Sequence, residues 1–418
     1  MEGKIRRYFH VQGFLSSMFS FIITGFVLNA FLLRIGFRDF ELGIYGSLMH
    51  LGFVFTLLGA HTSRKTSSRK MFYMRFYMIT VVMMVIFIFL PYILKGNELI
   101  ITVIIVLFLI NASSSFAWSV LIPFMHDMVH KNVWDRFYAR RMSIMSLPGL
   151  LSLAFGNILE GKNVPVFTSI FVFALLCIFL TIIVMLLVPD DKKKVIDQNL
   201  PKNKKQESLF KIITLKREYK FIYLYGFLLS FFTGLFYPLK YKYMIDHLGI
   251  DLRRLSVYEF IGIIVTIFSF ALWGRLSKEK NRLIIILALG LIKAFEPAIW
   301  LLTENNTVML YFIYVLFGAG EGSGIIGTGL WMVMMNYLLS HTDIENKTIA
   351  FNYSIAFKSC AFIVSSLAGG YLSGMLQSKK SFQIIGFANI EVIIALSMIF
   401  SIIAATYLIF SYRKLKAP

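Results

Sequence analysis

The sequence predicts an all-α polytopic membrane protein with twelve transmembrane helices in two parallel repeats of six. The first supporting observation is composition: 58% of the 418 residues are hydrophobic, 15% are charged, and the mean hydropathy is +0.73. Soluble domains are nearer 45–50% apolar and about 25% charged. The second is that continuous apolar runs recur, each close to the roughly 20 residues that cross a bilayer. Together they exclude a soluble, disordered or collagen-like chain, and without alternating strands an outer-membrane barrel is not expected.

Twelve apolar runs account for most of the chain. We expect transmembrane spans at 11–33, 42–60, 71–94, 99–122, 142–159, 166–188, 220–239, 257–273, 283–302, 309–338, 349–376 and 382–411. The first run is too long for a cleavable signal, so we interpret it as span 1. Cys177 and Cys360 both lie inside apolar runs, which indicates neither a disulfide framework nor a metal site.

The distribution of basic residues predicts the orientation. With the N-terminus inside, the inside segments hold 29 of the 42 Lys and Arg residues and the outside loops hold 10. Cytoplasmic loops carry such an excess, so both termini are expected in the cytoplasm and the protein in the cell membrane. The same rule explains the net charge of +20, and no nucleic-acid partner is expected.

One segment is too charged to cross the membrane. It runs from Pro189 to Lys220 and contains Lys192-Lys193-Lys194, so it is either flexible or a surface helix. It divides the chain into an N-terminal half at 1–188, a basic cytoplasmic linker at 189–219 and a C-terminal half at 220–418.

An internal repeat relates the two halves. A shift of 213 residues places Gly13-Phe14-Leu15 on Gly226-Phe227-Leu228, Trp118 on Trp331 and Gly156 on Gly369. A single register through six spans indicates two parallel repeats, one of the layouts of transporters. Coincidence in a biased composition is the alternative.

The repeat also marks one polar face in spans 1 and 7. Hydroxyl residues recur there at helical spacing and in register: Ser17, Ser20 and Thr24 in span 1, and Ser230, Thr233 and Tyr237 in span 7. Such a stripe either packs helices closely or lines a polar path. We expect these stripes to face a cavity between the halves, together with Asn111, Trp118 and Trp331.

Twelve spans, two halves and a basic linker resemble the major facilitator superfamily over essentially the whole chain. That family has a loop between spans 2 and 3 of the form G-x-x-x-D-R-x-G-R-R, repeated more weakly between spans 8 and 9. The first loop matches at Gly59, Arg64 and Arg69, although Ser63 replaces the acid and about two residues are inserted. The second matches at Gly274 and Arg282.

A second resemblance lies between spans 4 and 5. Many members have an acid there, followed by Arg-x-Phe-Phe/Tyr-x-x-Arg, and this chain has Asp127 and then Arg136-Phe137-Tyr138-Ala139-Arg140. The resemblance implies a secondary transporter that works by alternating access, with these loops as gates. We expect Arg64 and Arg136 to contact the inner ends of neighbouring spans and Asp127 to be an acidic partner. The antiporter signature of span 5 is not intact.

Ionisable residues at bilayer depth are functional candidates because each costs a few kcal/mol or more. Glu321, within a glycine-rich run in span 10, and Lys358 in span 11 fall at similar depths. They are expected to form either a structural ion pair or a site for a coupling proton or substrate. Lys293, Glu296 and Glu391 are interpreted as a structural network of spans 9 and 12.

The sequence therefore predicts a monomeric transporter of a small organic solute within the bilayer, with protons or another ion as coupling partner. No cofactor or metal is expected, and no enzyme activity. His126-Asp127-Met128-Val129-His130 places two histidines as in zinc proteases, but the base is Asp rather than Glu. A membrane-embedded lipid-handling protein or enzyme on a similar scaffold is the alternative, and a non-transporting receptor is a third reading.

Overall fold

The computed structural model describes residues 2–63, 66, 68–129, 134–159, 163–189, 217–276, 281–304, 306, 308–318, 320, 322–341, 347–378 and 389–416. All regular secondary structure in these ranges is helical. Within these ranges, eleven helical spans are long and apolar enough to cross a membrane, and a shorter apolar helix at Gly324–Leu338 is the twelfth. The predicted fold class is confirmed. The half boundaries stay a prediction, because 190–216 lie outside the described residues.

Apolar composition and local breakers set the helices of the first half. The helix of span 3 is capped by Ser68, whose hydroxyl accepts a hydrogen bond from the Met71 backbone N at 3.1 Å. Span 5 passes through a short 3₁₀ segment that contains Pro148. The helices are Glu2–Thr24 and Phe26–Arg34 in span 1, Asp39–Ser63 in span 2, Arg69–Ile93 in span 3, Gly96–Met128 in span 4, Trp134–Ser146, Leu147–Leu151 and Ser152–Leu159 in span 5, and Val164–Leu187 in span 6.

The second half contains more interruptions. Its helices are Arg217–Phe236, Tyr237–Leu239, Lys240–Lys242 and Tyr243–His247 in span 7, Leu252–Leu276 in span 8, Arg282–Ala294 and Glu296–Leu301 in span 9, Met309–Leu316 and Gly324–Ser340 in span 10, Lys347–Ser378 in span 11, and Asn389–Lys416 in span 12. The last segment of span 7 is π-helical, a form that often occurs at functional sites.

Span 7 is longer than the sequence indicates. We expected it to end at 239 and treated Lys240 and Lys242 as loop residues, but the helix continues to His247. That boundary was wrong because the lysines are satisfied inside the protein rather than by water, as described below. Span 8 correspondingly begins at Leu252 rather than 257.

Span 10 is broken where one continuous helix was expected. The first helix ends at Leu316 and the second begins at Gly324. Gly318 and Gly324 have φ of +69° and +68°, a left-handed conformation that side chains other than glycine rarely adopt. A discontinuous helix at membrane depth is tolerated only where protein or a water-filled cavity surrounds it.

Among the described residues, the most extensive contacts between the two halves pair span 2 with span 11 and span 5 with span 8. Alternating spans place both ends of the chain on one membrane face, called here the terminal face; the other is the opposite face. The contacts between halves extend from mid-span to the opposite face. Ser366 Oγ donates to Gly43 O at 2.8 Å, and Ser47 Oγ donates to Ile363 O at 2.9 Å.

Large apolar side chains cover the outer surface of the bundle. Ile93 and Phe268 are 73% and 71% exposed. In water the exposure of such side chains would be unfavourable. On a membrane protein these side chains form the surface that lipid covers.

Candidate functional site

Four buried charges from three spans lie together inside the C-terminal half. This charged cluster consists of Lys240 of span 7, Glu259 of span 8, and Lys293 and Glu296 of span 9, and each residue is at most 2% exposed. Counting 1.5 Å per residue from the helix ends, they lie roughly 8–12 Å below the opposite face. Isolated charges at this depth are very costly, so their mutual pairing offsets much of the cost of burying each one.

Glu259 is held by two tyrosines. Its Oε1 accepts hydrogen bonds from Tyr241 OH at 2.8 Å and Tyr314 OH at 3.2 Å. The Nζ of Lys240 lies 4.4 Å from the centre of the Tyr241 ring and 5.5 Å from that of Tyr314. Lys240 is also attracted electrostatically to Glu259 and Glu296. Hydroxyl and ring contacts from spans 7 and 10 therefore replace water around this pair.

Lys293 and Glu296 form the second pair of the cluster. Their Nζ and Oε2 atoms are 2.7 Å apart, across the junction between the two helices of span 9. Tyr237 OH donates to Glu296 Oε1 at 3.2 Å, and Lys293 Nζ lies 5.1 Å from the Phe317 ring centre, directly before the break in span 10. The cluster thus contacts the irregular parts of spans 7 and 10.

A small cavity borders Glu296 between spans 7, 9 and 12. Trp300, only 1% exposed, lines it, and its Nε1 has no hydrogen-bond partner among the described residues. The remaining lining residues are Phe232, Thr233, Phe236, Tyr237, Pro297 and Ser397. The lining is mainly apolar, and the Trp300 donor and the Glu296 carboxylate are the groups that could hydrogen-bond a small guest such as water.

Glu391 lies apart from this cluster. Its Oε1 is 3.4 Å from Nε2 of His247, which in turn is 3.9 Å from Oε1 of Glu304. In the structure Lys293 pairs with Glu296 as predicted, whereas Glu391 lies beside His247. Glu391 instead joins the ends of spans 7, 9 and 12 at the opposite face.

The predicted polar stripes differ in burial. Ser230 and Thr233 are buried, Tyr237 is half-buried against Glu296, Ser17 and Ser20 are half-buried, and Thr24 is exposed. Thr233 and Tyr237 border the cavity within the C-terminal half. That the stripes line a cavity between the halves stays a prediction.

The other predicted cavity residues are spread over several spans. Glu321 lies outside the described residues, and Lys358 is half-buried with its Cε against Gly226 of span 7. Asn111 donates to Leu107 O of its own helix at 2.9 Å. Trp118 and Trp331 are half-buried, and Trp331 stands next to Gly322 in the break of span 10.

The predicted gating residues lie near the terminal face, and the structure describes five of the eight side chains or glycines. Arg64 and the side chains of Asp127 and Arg136 lie outside the described part of the chain, as do the side chains of His126 and His130. Gly59 packs on Ser119 of span 4, and Arg282 Nη1 donates to Asn336 O at 3.2 Å. Arg69 is half-buried, and Arg140 and Gly274 are exposed. Their gating role stays a prediction.

Lys240 and Glu259 are functional candidates that the sequence did not predict. Lys240 was assigned to a loop, and Glu259 lay too close to the expected start of span 8 to attract notice. One signal was available: Tyr237 and Tyr241 flank Lys240 on consecutive helical turns, a pattern typical of a lysine packed between rings.

Comparisons with known proteins agree with this architecture. A sequence model described as Major Facilitator Superfamily matches residues 14–342. No curated protein matches the chain.

Similar solved structures share its fold across nearly their whole length. A D-xylose-proton symporter is 12% identical with a TM-score of 0.71, covering 97% of this chain and 96% of that one. The nucleoside transporter NupG is 11% identical with a TM-score of 0.66, covering 99% and 100%. A bacterial homologue of the human lysosomal transporter Spinster, inward-facing and unoccupied, is 12% identical with a TM-score of 0.69, covering 99% and 96%.

Proposed function

Because the chain belongs to the major facilitator superfamily, we propose that it is a secondary active transporter of a small organic solute, coupled to protons. It works by alternating access between two six-helix halves, as a monomer in the cell membrane with both termini in the cytoplasm. The charged cluster is the observation that carries the proposal. Four charges retained inside an apolar bundle cost stability, and intramembrane ionisable groups are a mark of ion and substrate pathways.

The cluster can couple the binding of a proton to movement of the helices because its charges balance. Two lysines and two carboxylates sum to zero, so a proton on Glu259 or Glu296 leaves one lysine charge uncompensated. An anionic group of a solute, or a rearrangement that hydrates the lysine, would restore the balance. The residues come from spans 7, 8 and 9 and contact span 10, so changes in their pairing act on several helices at once.

The break in span 10 supports the same role. Discontinuous helices in transporters bring backbone groups to the substrate and ion sites. In sequence, Glu321 lies between the two helices of span 10 and Lys358 lies in span 11, and they remain a second candidate pair for proton binding. The similar folds named for a nucleoside and for a sugar carried with a proton are compatible with a small polar solute here.

Reconstitution into liposomes tests the proposal. Labelled nucleosides, sugars, amino acids and organic acids are offered with and without an imposed pH gradient. We expect one class to accumulate only with the gradient and to lose accumulation on addition of a protonophore. Glu259→Gln and Glu296→Gln should abolish accumulation but retain exchange at equal pH.

Glu98→Gln is the matched control, since Glu98 is exposed at the start of span 4 and remote from the cluster. Accumulation that persists unchanged in both folded cluster variants would refute coupling through these carboxylates. If the protein instead releases lipid without a gradient and takes up no solute, the lipid-handling alternative is favoured.

A further inference from the structure

The opposite face is closed by a contact that joins three spans from both halves. Lys242 of span 7 forms an ion pair with Oδ1 of Asp39, the first residue of span 2. Ser373 of span 11 donates to Oδ2 of the same carboxylate at 2.6 Å. The Asp39 side chain is 3% exposed, so both of its oxygens depend on partners from the other half.

The packing beneath this ion pair leaves little room for partial separation. A Cβ on Gly43 would lie 2.9 Å from the Cα of Gly370, so the backbones of spans 2 and 11 are in direct contact. Opening this face must therefore separate Asp39 from Lys242 and from Ser373 together. The Lys242 side chain, 13% exposed, would be left without the carboxylate that now neutralises it.

A second carboxylate lies within reach of the same lysine. Asp246 is exposed, four residues after Lys242 on its own span, in the π-helical turn Tyr243–His247. It attracts Lys242 and repels Asp39 electrostatically. Oppositely charged residues four apart on a helix are neighbours. Lys242 thus has one acidic neighbour across the interface and another on its own half.

We propose that Lys242 is a two-position switch that pairs with Asp39 when the opposite face is closed and with Asp246 when it is open. The exchange keeps the lysine paired on both sides of the transition, which lowers the cost of opening. Asp39 and Asp246 then act in opposite directions on one equilibrium: Asp39 favours the closed state and Asp246 the open state. This extends the proposed alternating access, and its test requires no solute.

Distance measurements between the halves test the switch. Spin labels are placed on the opposite face at Lys95→Cys in the N-terminal half and Arg253→Cys in the C-terminal half, both exposed positions, after replacement of Cys177 and Cys360. In lipid nanodiscs, Asp39→Asn should raise the ratio of long to short distances by about fivefold or more, the range of typical conformational coupling. Addition of Asp246→Asn to that variant should lower the ratio again.

Two further variants complete the test. Ser373→Ala keeps every charge and should raise the ratio less than Asp39→Asn, so it carries the test if Asp39→Asn does not fold. Glu41→Gln, two residues after Asp39 on the same helix, should leave the distances unchanged. An unchanged distribution in folded Asp39→Asn and Ser373→Ala, or an increase of the open fraction by Asp246→Asn, would overturn the switch. Proton-coupled uptake could still be intact in that case, so the two proposals fail separately.

Discussion

The two halves of the molecule differ in how they hold buried charge. In the described part of the N-terminal half, Arg141 is fully buried and its guanidinium donates to neutral acceptors, Phe9 O and Gln12 Oε1, the latter at 2.6 Å. Asp39, the other buried charge there, pairs across the interface. The C-terminal half instead contains lysines opposite carboxylates. Neutral acceptors hold a charge in place, whereas paired ionisable groups can exchange protons and partners. Under the proposed function, the first half therefore anchors and the second half couples to protons.

The largest expected effect is the loss of one member of the cluster. Lys293→Met leaves Glu296 charged and buried without its partner, which should lower the free energy of unfolding by about 3–5 kcal/mol. Lys293→Met with Glu296→Leu should recover most of that stability, because neither charge remains, but not proton-dependent uptake. Thermal unfolding in detergent measures the first quantity, with Lys220→Met, at an exposed position, as control. A double variant no more stable than the single one would show that the pair is not the source of the loss.

A smaller effect is expected in the N-terminal half. Arg141→Met removes two hydrogen bonds from a charged donor and should lower the free energy of unfolding by about 2–3 kcal/mol. Protein that remains folded should keep its response to a pH gradient. Arg140→Met, on the exposed neighbour, should leave stability nearly unchanged. If folded Arg141→Met lost the pH response, the division of roles between the halves would be wrong.

The smallest effect concerns the tyrosines around Glu259. Tyr314→Phe removes one of the two hydroxyl donors to its carboxylate and should cost about 1.5 kcal/mol, while Tyr241 continues to donate. Tyr241→Phe with Tyr314→Phe should cost more than the sum of the two single changes, because Glu259 then has neither donor. Tyr311→Phe on the same helix is the control. Strict additivity would indicate that the two hydroxyls act on the carboxylate independently of each other.

The sequence was sufficient for the fold because membrane spans are local. Long apolar runs, basic loops and the 213-residue register depend only on neighbours along the chain, and they predicted twelve spans in two repeats. The break in span 10 was visible only as a run of glycines. That Gly318 and Gly324 adopt left-handed backbone is set by their close packing in three dimensions.

The site could be predicted only in part, because its partners are distant in sequence. Lys293 and Glu296 lie three residues apart and were recognised as one face. Lys242 and Asp39 are 203 residues apart, and Glu259 meets Tyr314 from 55 residues away. A lysine following an apolar run usually marks the end of a span, so the sequence predicts Lys240 and Lys242 in a loop exposed to water. The folded bundle places carboxylates and tyrosine rings around these lysines, and these partners could not be predicted from neighbouring residues in the sequence.

The central claim is that the ionisable groups of the C-terminal half, and not those of the N-terminal half, respond to protons. Hydrogen–deuterium exchange of the protein in nanodiscs, at mildly acidic and at neutral pH and corrected for intrinsic exchange rates, tests it directly. We predict that protection changes with pH in spans 7 to 10, that spans 1 to 6 stay unchanged, and that Glu259→Gln with Glu296→Gln abolishes the change. A pH response centred on spans 1 to 6, or one that persists in the folded double variant, would contradict the account.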